Sequence, residues 1–211
     1  MSINFQELVT INDHLKAYSR ANLLLVTKNR NPETIKRLIE LGYHNFGENK
    51  VQEAKEKFSS IHDANVKLHL IGPLQTNKVK MSLQLFDVIQ TIDRQKLVIE
   101  INKQIFNQNF PIKTKYFFIQ VNIGREAQKS GVMPEDLKDL YDFSIMKKLN
   151  IFGLMCIPPV NQNPKEYFLE MRNLRDQLNK SLKLSMGMSD DYQMALTCGS
   201  DLVRIGSRIF K

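Results

Sequence analysis

Eight short apolar runs recur along the 211 residues, each followed by a stretch with helical spacing, and that alternation constrains the fold more tightly than any other feature. The runs lie at 23–26, 43–46, 66–71, 88–92, 116–122, 151–157, 182–186 and 202–205. Four consecutive aliphatic residues, as in Leu23-Leu24-Leu25-Val26, read as a strand buried on both faces, which is the condition of strands in a parallel sheet. The intervening segments are long enough for right-handed parallel crossovers. They carry helix signals at 32–41, 51–58, 77–85, 94–106, 134–146, 165–178 and 192–197. The first of these has proline in its opening turn and Gly42 as its stop, and the sixth carries a stripe of Phe168, Met171, Leu174 and Leu178. The spacing of Phe5, Leu8, Val9, Ile11, Leu15 and Tyr18 predicts one more helix ahead of the first strand.

Eight strands alternating with helices predict a (β/α)8 TIM barrel, with residues 1–211 as a single domain. The chain stops a few residues after the eighth strand, so the N-terminal helix is expected to cover the face that a last helix normally closes. An open doubly wound sheet is the alternative, and eight units in this length favour closure. No stretch is apolar enough to span a bilayer, and the first residues have neither the basic start nor the apolar core of a signal peptide. A cytoplasmic location and no membrane partner are therefore expected. Cys156 and Cys198 have no metal-ligand spacing and read as buried free thiols, so no metal site is expected. The formal charge of +8 raises nucleic acid as a partner, but the lysines and arginines are scattered over the predicted helices. Diffuse charge of that kind supports no specific nucleic-acid binding and reads as solubility and attraction for small anions.

In parallel α/β folds ligands bind at the carboxyl ends of the strands, so the residues there carry the functional reading. The first strand ends at Lys28, the second at Gly47-Glu48-Asn49, the seventh at Met186-Gly187-Met188-Ser189 and the eighth at Arg204-Ile205-Gly206-Ser207. Small residues after strands seven and eight are where barrels most often build a phosphate site from backbone N–H groups and a hydroxyl. A lysine amine, a phosphate cradle and an arginine on one face are what pyridoxal 5′-phosphate requires. Each residue also has an ordinary structural use. Lys28 opens a polar loop, Ser189 and Asn49 are both natural helix caps, and Gly187 and Gly206 permit tight turns. Met155, Met186 and Met188 suit pocket wall or core, and His69, inside a strand, reads as a satisfied core histidine. Arg204, flanked by Leu202, Val203 and Ile205, demands a polar or anionic partner wherever it lies.

Six blocks carry a resemblance: Leu25-Val26-Thr27-Lys28, Phe46-Gly47-Glu48-Asn49-Lys50-Val51-Gln52-Glu53, His69-Leu70-Ile71-Gly72-Pro73-Leu74-Gln75-Thr76-Asn77-Lys78, Gly153-Leu154-Met155, Leu184-Ser185-Met186-Gly187-Met188-Ser189 and Val203-Arg204-Ile205-Gly206-Ser207. Together, in order over about residues 21–210, they resemble the pyridoxal phosphate homeostasis protein family, single-domain relatives of the alanine racemase N-terminal barrel. The resemblance implies a monomeric barrel that holds pyridoxal phosphate and manages vitamin B6 supply. Apo pyridoxal phosphate enzymes are candidate partners, and the sequence does not identify the recipient of the cofactor. By the same match Lys28 is the Schiff-base lysine, Ser189, Gly206 and Ser207 hold the phosphate, Arg204 faces the pyridine nitrogen, and Asn49 lines the pocket. Three features depart from the family pattern: a short helix before the first strand, Lys50 where an aromatic is usual, and the end Ile209-Phe210-Lys211 without its usual glycine.

An arginine facing the ring nitrogen leaves it unprotonated and makes the cofactor a poor electron sink. Racemases of this fold share that arginine. As the resemblance has it, they also place a second base on a C-terminal β-domain, no counterpart of which is expected here, and two-base proton transfer needs a group on each side. The expected function is therefore a carrier, buffer or regulator of pyridoxal phosphate rather than an enzyme. The alternative is a weak pyridoxal phosphate-dependent amino-acid racemase or related enzyme. A Schiff-base lyase acting on phosphorylated sugars, colourless when purified, is the third reading.

Overall fold

The structure, a computed structural model, describes residues 3–107 and 109–210. Eight strands form one closed parallel barrel in sequence order, with the last paired to the first. They are β1 (Asn22–Val26), β2 (Asn45–Glu48), β3 (Lys67–Leu70), β4 (Val88–Ile92), β5 (Tyr116–Val121), β6 (Ile151–Cys156), β7 (Lys183–Ser185) and β8 (Leu202–Ile205). The helices are α1 (Phe5–Lys16), α2 (Pro32–Glu40), α3 (Val51–Phe58), α4 (Val79–Leu85), α5 (Gln95–Asn107), α6 (Leu137–Met146), α7 (Pro164–Leu178) and α8 (Tyr192–Thr197). Every residue of β4 is buried, as a strand covered on both faces requires. The caps follow the local chemistry. Asn31 accepts the Thr34 N–H at 2.9 Å ahead of Pro32, and Asn163 accepts the Lys165 N–H at 3.1 Å ahead of Pro164.

One element differs from the sequence expectation. The apolar pattern predicts the second strand at 43–46, and it runs at Asn45–Glu48, pairing Asn45 with Lys67 and Glu48 with Leu70. Tyr43 instead finishes α2, its N–H bonded to the Leu38 carbonyl at 3.0 Å. The polar residues Asn45 and Glu48 mask this strand in the sequence, because Glu48 is buried through an ion pair rather than through hydrophobicity.

The apolar residues fall into two clusters. The larger lies between the sheet and its helices and includes Leu25, Phe46, Ile89, Val203 and Ile205. The smaller, Val88, Phe118 and Met155, fills part of the barrel interior. Alternation along β8 explains the split, since Val203 and Ile205 face the helix layer while Arg204 between them faces the barrel axis. Helix α1 covers the seam as the sequence predicts. Its buried face is Leu8, Ile11 and Leu15, and the Asn4 N–H donates to the Ile209 carbonyl at 2.7 Å. Arg208 pairs with Glu7, and His14 Nδ1 lies 2.7 Å from the Tyr192 hydroxyl on α8.

The ends of β2 and β3 approach so closely that only glycine fits at position 72. A Cβ there would stand 2.1 Å from the Asn49 carbonyl oxygen. Gly72→Ala must push the two strand ends apart, and we expect it to destabilise the chain by about 1–3 kcal/mol, as overpacking typically does. The fall in thermal midpoint measured by calorimetry checks this.

Candidate functional site

Lys28, Asn49, Ser189, Arg204, Gly206 and Ser207 all line one cavity of about 320 Å³ at the carboxyl ends of the strands. Val26, Ile71, Ile157 and Met188 form its apolar wall. Two of the capping alternatives are resolved by the geometry. The cap position of α3 belongs to Lys50, which makes no side-chain cap bond, and the Asn49 side chain has no hydrogen-bond partner among the described residues. The cap of α8 is Asp191, whose carboxylate accepts the Met188 N–H at 2.6 Å. Ser189 instead bridges the ends of β7 and β8, its Oγ accepting the Gly206 N–H at 3.4 Å and its carbonyl accepting from Arg208 at 3.1 Å. Of the three methionines, Met155 sits inside the barrel, Met186 in the outer core and Met188 on the cavity wall. Lys50 is exposed and does not line the cavity.

The fit to a phosphate shows in unused donors. The backbone N–H groups of Ser189, Asp190 and Ser207 have no partner among the described residues, and all three residues line the cavity. Together with the Ser189 and Ser207 hydroxyls they form a neutral cradle of the kind anions occupy.

Lys28 is exposed to this cavity, while a second lysine behind it is fully engaged. Lys57, 6% exposed, reaches from α3 to the Thr27 carbonyl at 2.6 Å, Glu48 Oε1 at 2.6 Å and Glu53 Oε1 at 2.8 Å. The Thr27 hydroxyl donates to Glu48 Oε1 at 2.6 Å, and the Asn29 N–H donates to Glu53 Oε1 at 2.6 Å. Lys28 thus sits between two residues clamped by one buried ion cluster, and Asn29 adopts a left-handed backbone (φ 59°) to meet it. Burial pushes the Glu48 carboxyl above its ordinary pKa against the hydrogen bonds from Lys57 and Thr27, and its Oε2 has no partner among the described residues. Burial also raises Glu53, but hydrogen bonds from Lys57 and Asn29, with the charges of Lys57 and Lys50, bring it below the ordinary value. The sequence marks Lys57 only as a residue four after Glu53 on one helix, and this cluster is not legible without the shifted β2.

Arg204 finds its partners inside the barrel. Its Nη1 donates to the Ser185 carbonyl at 2.6 Å and to Ser185 Oγ at 2.9 Å, and its Nη2 donates to the Cys156 carbonyl at 2.7 Å. Burial pulls the guanidinium below its ordinary pKa, with the Cys156 thiol and Asp191 opposing. Burial pushes the free Cys156 thiol up to about 12, so it stays protonated. From Ser185 a chain of polar side chains crosses the barrel: Ser185 Oγ to Gln90 Oε1 at 2.7 Å, then Gln90 Nε2 to His69 Nδ1 at 2.8 Å. The direction of this chain is determined by chemistry. A guanidinium only donates, so Ser185 accepts from Arg204 and passes its own hydrogen to Gln90. Gln90 then presents oxygen to Ser185 and NH₂ to His69, so His69 accepts at Nδ1 and carries its proton on Nε2. Burial, with the nearby Lys67 charge, pushes His69 down to about 3, which keeps the ring neutral. His69 is an interior histidine as expected, but only its Nδ1 is bonded within the barrel. Gln90 is the member that the sequence hides least, being a polar residue amid Val88, Ile89 and Ile92.

The family model described as alanine racemase, N-terminal domain, matches residues 7–211. A pyridoxal phosphate homeostasis protein of Aquifex aeolicus is 39% identical over 199 residues, covering 90% of this chain and 86% of the relative. One from Helicobacter pylori is 38% identical over 206 residues, covering 92% of this chain and 90% of the relative. Among solved structures, PipY of Synechococcus elongatus with PLP bound superposes with a TM-score of 0.85 at 27% identity, covering 98% of this chain and 99% of that one.

Removing Lys57 leaves Glu48 buried without its cation. Lys57→Met is expected to destabilise the chain by about 3–5 kcal/mol near neutral pH, the cost of breaking a buried pair from one side. The stranded Glu48 has a raised folded pKa, so the deficit is full above that pKa and shrinks as pH falls through it towards the ordinary carboxylate value. Urea denaturation over a pH series reads both the size and the sign.

Proposed function

The chain belongs to the alanine racemase N-terminal domain family and, within it, to the pyridoxal phosphate homeostasis proteins, and on that premise we propose that it binds pyridoxal 5′-phosphate at the carboxyl end of its barrel and serves intracellular vitamin B6 homeostasis as a carrier, buffer or regulator. The observation that carries this reading is the convergence of Lys28, Asn49, Ser189, Arg204, Gly206 and Ser207 on one cavity. When bound, the cofactor supplies an aldehyde that couples reversibly to an amine. Lys28 is the amine, held in place by the clamp on Thr27 and Asn29 and left accessible because Lys57 takes the carboxylates. Ser189, Ser207 and the free N–H groups around them take the phosphate, with Gly206 packed against Val26 beneath it.

Arg204 uses three of its five N–H donors on Ser185 and Cys156, leaving two for the cavity. It can only donate, so a ring nitrogen facing it acts as acceptor and stays unprotonated. That favours holding over carbanion chemistry. Besides Lys28 and Arg204, the titratable group on the described wall is the exposed carboxylate of Asp190. Proton transfer across a substrate needs placed groups on two sides, and the enclosed part of the wall offers the lysine side alone. Exchange of the anchoring amine for that of another protein is a route by which such a chain supplies apo-enzymes, its proposed recipients.

Two measurements test the reading. The wild-type chain reconstituted with pyridoxal phosphate is expected to absorb in the visible, and borohydride should fix a pyridoxyl phosphate label on the peptide bearing Lys28. Lys28→Ala should lose the label, and labelling that persists in that variant would overturn the assignment. Incubated with L-alanine in deuterated water, the loaded chain is expected to release no D-enantiomer beyond a free-cofactor control. Catalytic accumulation of D-alanine would make it a racemase.

A further inference from the structure

At the opposite end of the barrel a second cavity of about 330 Å³ opens among the first residues of the strands. Lys67 and Lys183 begin β3 and β7, Tyr116 begins β5, and Arg20 reaches in from the segment before β1. Lys183 is spent on Asp201 at 3.0 Å, whose other oxygen accepts the Leu184 N–H at 2.9 Å. Arg20 and Lys67 have no partner among the described residues. One side of the mouth is aromatic: the Tyr116 and Phe152 rings lie 4.6 Å apart, and Phe118 meets Phe152 at 6.0 Å.

Unpaired cations at a barrel rim are ordinary solvated surface. His69 is not. It lines the same cavity, is only 7% exposed, and its Nε2 has no partner among the described residues. The polarity of the Arg204, Ser185, Gln90 and His69 chain places a proton on that nitrogen, so the cavity receives an N–H donor from a nearly buried ring. The nitrogen opens onto the cavity rather than being sealed in the interior, so its N–H is available to whatever occupies that space. Lys67, two residues from His69 on the same strand, directs its side chain to the same face.

We propose that this amino-terminal cavity is a second ligand site, taking a single-ring compound that bears an oxyanion, which accepts from His69 Nε2–H and pairs with Lys67 while the ring rests against Tyr116, Phe118 and Phe152. A volume near the lower end of small-molecule pockets matches one ring with one acidic group. The site stands apart from the cofactor cavity and holds whether or not that cavity binds pyridoxal phosphate. An acceptor at His69 also polarises the chain that ends on Arg204, which ties the two ends of the barrel together.

Nuclear magnetic resonance of the ring nitrogens of the full, histidine-labelled chain tests this, with benzoate, phenyl phosphate and inorganic phosphate as probes. Benzoate or phenyl phosphate should shift the His69 Nε2–H signal saturably. Lys67→Ala, a substitution at an exposed position, should weaken that binding about tenfold, and Lys28→Ala should leave it unchanged. Absence of a saturable shift with any probe would overturn the proposal. So would binding abolished by Lys28→Ala and indifferent to Lys67→Ala, which places the probes in the other cavity. Inorganic phosphate binding as tightly as phenyl phosphate would overturn the ring's part in the recognition.

Discussion

A guanidinium that lies inside a barrel can only donate hydrogen bonds, and the interior of this protein is arranged around that restriction. Arg204 needs acceptors on all sides, and it takes them from the carbonyls of two neighbouring strands and from one hydroxyl. The hydroxyl must then donate onward, which dictates the orientation of Gln90 and the tautomer of His69. Much of the lumen is therefore occupied by a directed polar chain, where most barrels stack branched aliphatic layers. The apolar filling is reduced to the small cluster of Val88, Phe118 and Met155. Such a network is costly if any member is unsatisfied and rigid when all are, so Arg204 is held at a defined position facing the cavity.

The two lysines near the end of β1 show how one chemical group is given two roles by its surroundings. Lys57 is buried and surrounded by carboxylates and a carbonyl, so its charge is consumed in holding the loop. Lys28 lies on that loop, exposed to the cavity and free of those carboxylates. Without Lys57, Glu48 and Glu53 would be available to pair with the nearest cation, and Lys28 is on the loop they touch. The buried cluster thus supports the site by occupying its own charges.

Much of this was legible in the sequence because period and punctuation agree along the chain. Seven of the eight strands lie where apolar runs place them, and α1 lies where the apolar spacing of residues 5–18 places it. The exception, β2, is instructive: Glu48 belongs to the strand because Lys57 and Thr27 neutralise and bond it, and no window on hydrophobicity registers a partner nine residues away on the next helix. The site residues were visible as small or charged residues at strand ends. Their supports were not, since Ser185, Gln90 and His69 come from three strands and meet only in the closed barrel. Capping was the other weak point. Asn49 and Ser189 have the right chemistry for caps, yet Lys50 and Asp191 hold those positions, because cap identity depends on where the backbone turns into the helix.

The polar residues of the cavity at the carboxyl end come from the two extremes of the chain, β1 and β2 on one side and β7 and β8 on the other, joined by the pairing of Leu23 with Val203 and Leu24 with Arg204. No contiguous stretch of sequence contains it. During synthesis the amine of Lys28 emerges early, but the cradle and the arginine arrive only with the final strand, after the rest of the barrel has been made. A ligand that needs both sides therefore recognises only a closed barrel, and its binding energy bears on the seam that joins the chain's beginning to its end. Occupancy would then report folding as well as supply: an unfinished or opened chain carries the lysine and offers nothing to hold what it captures.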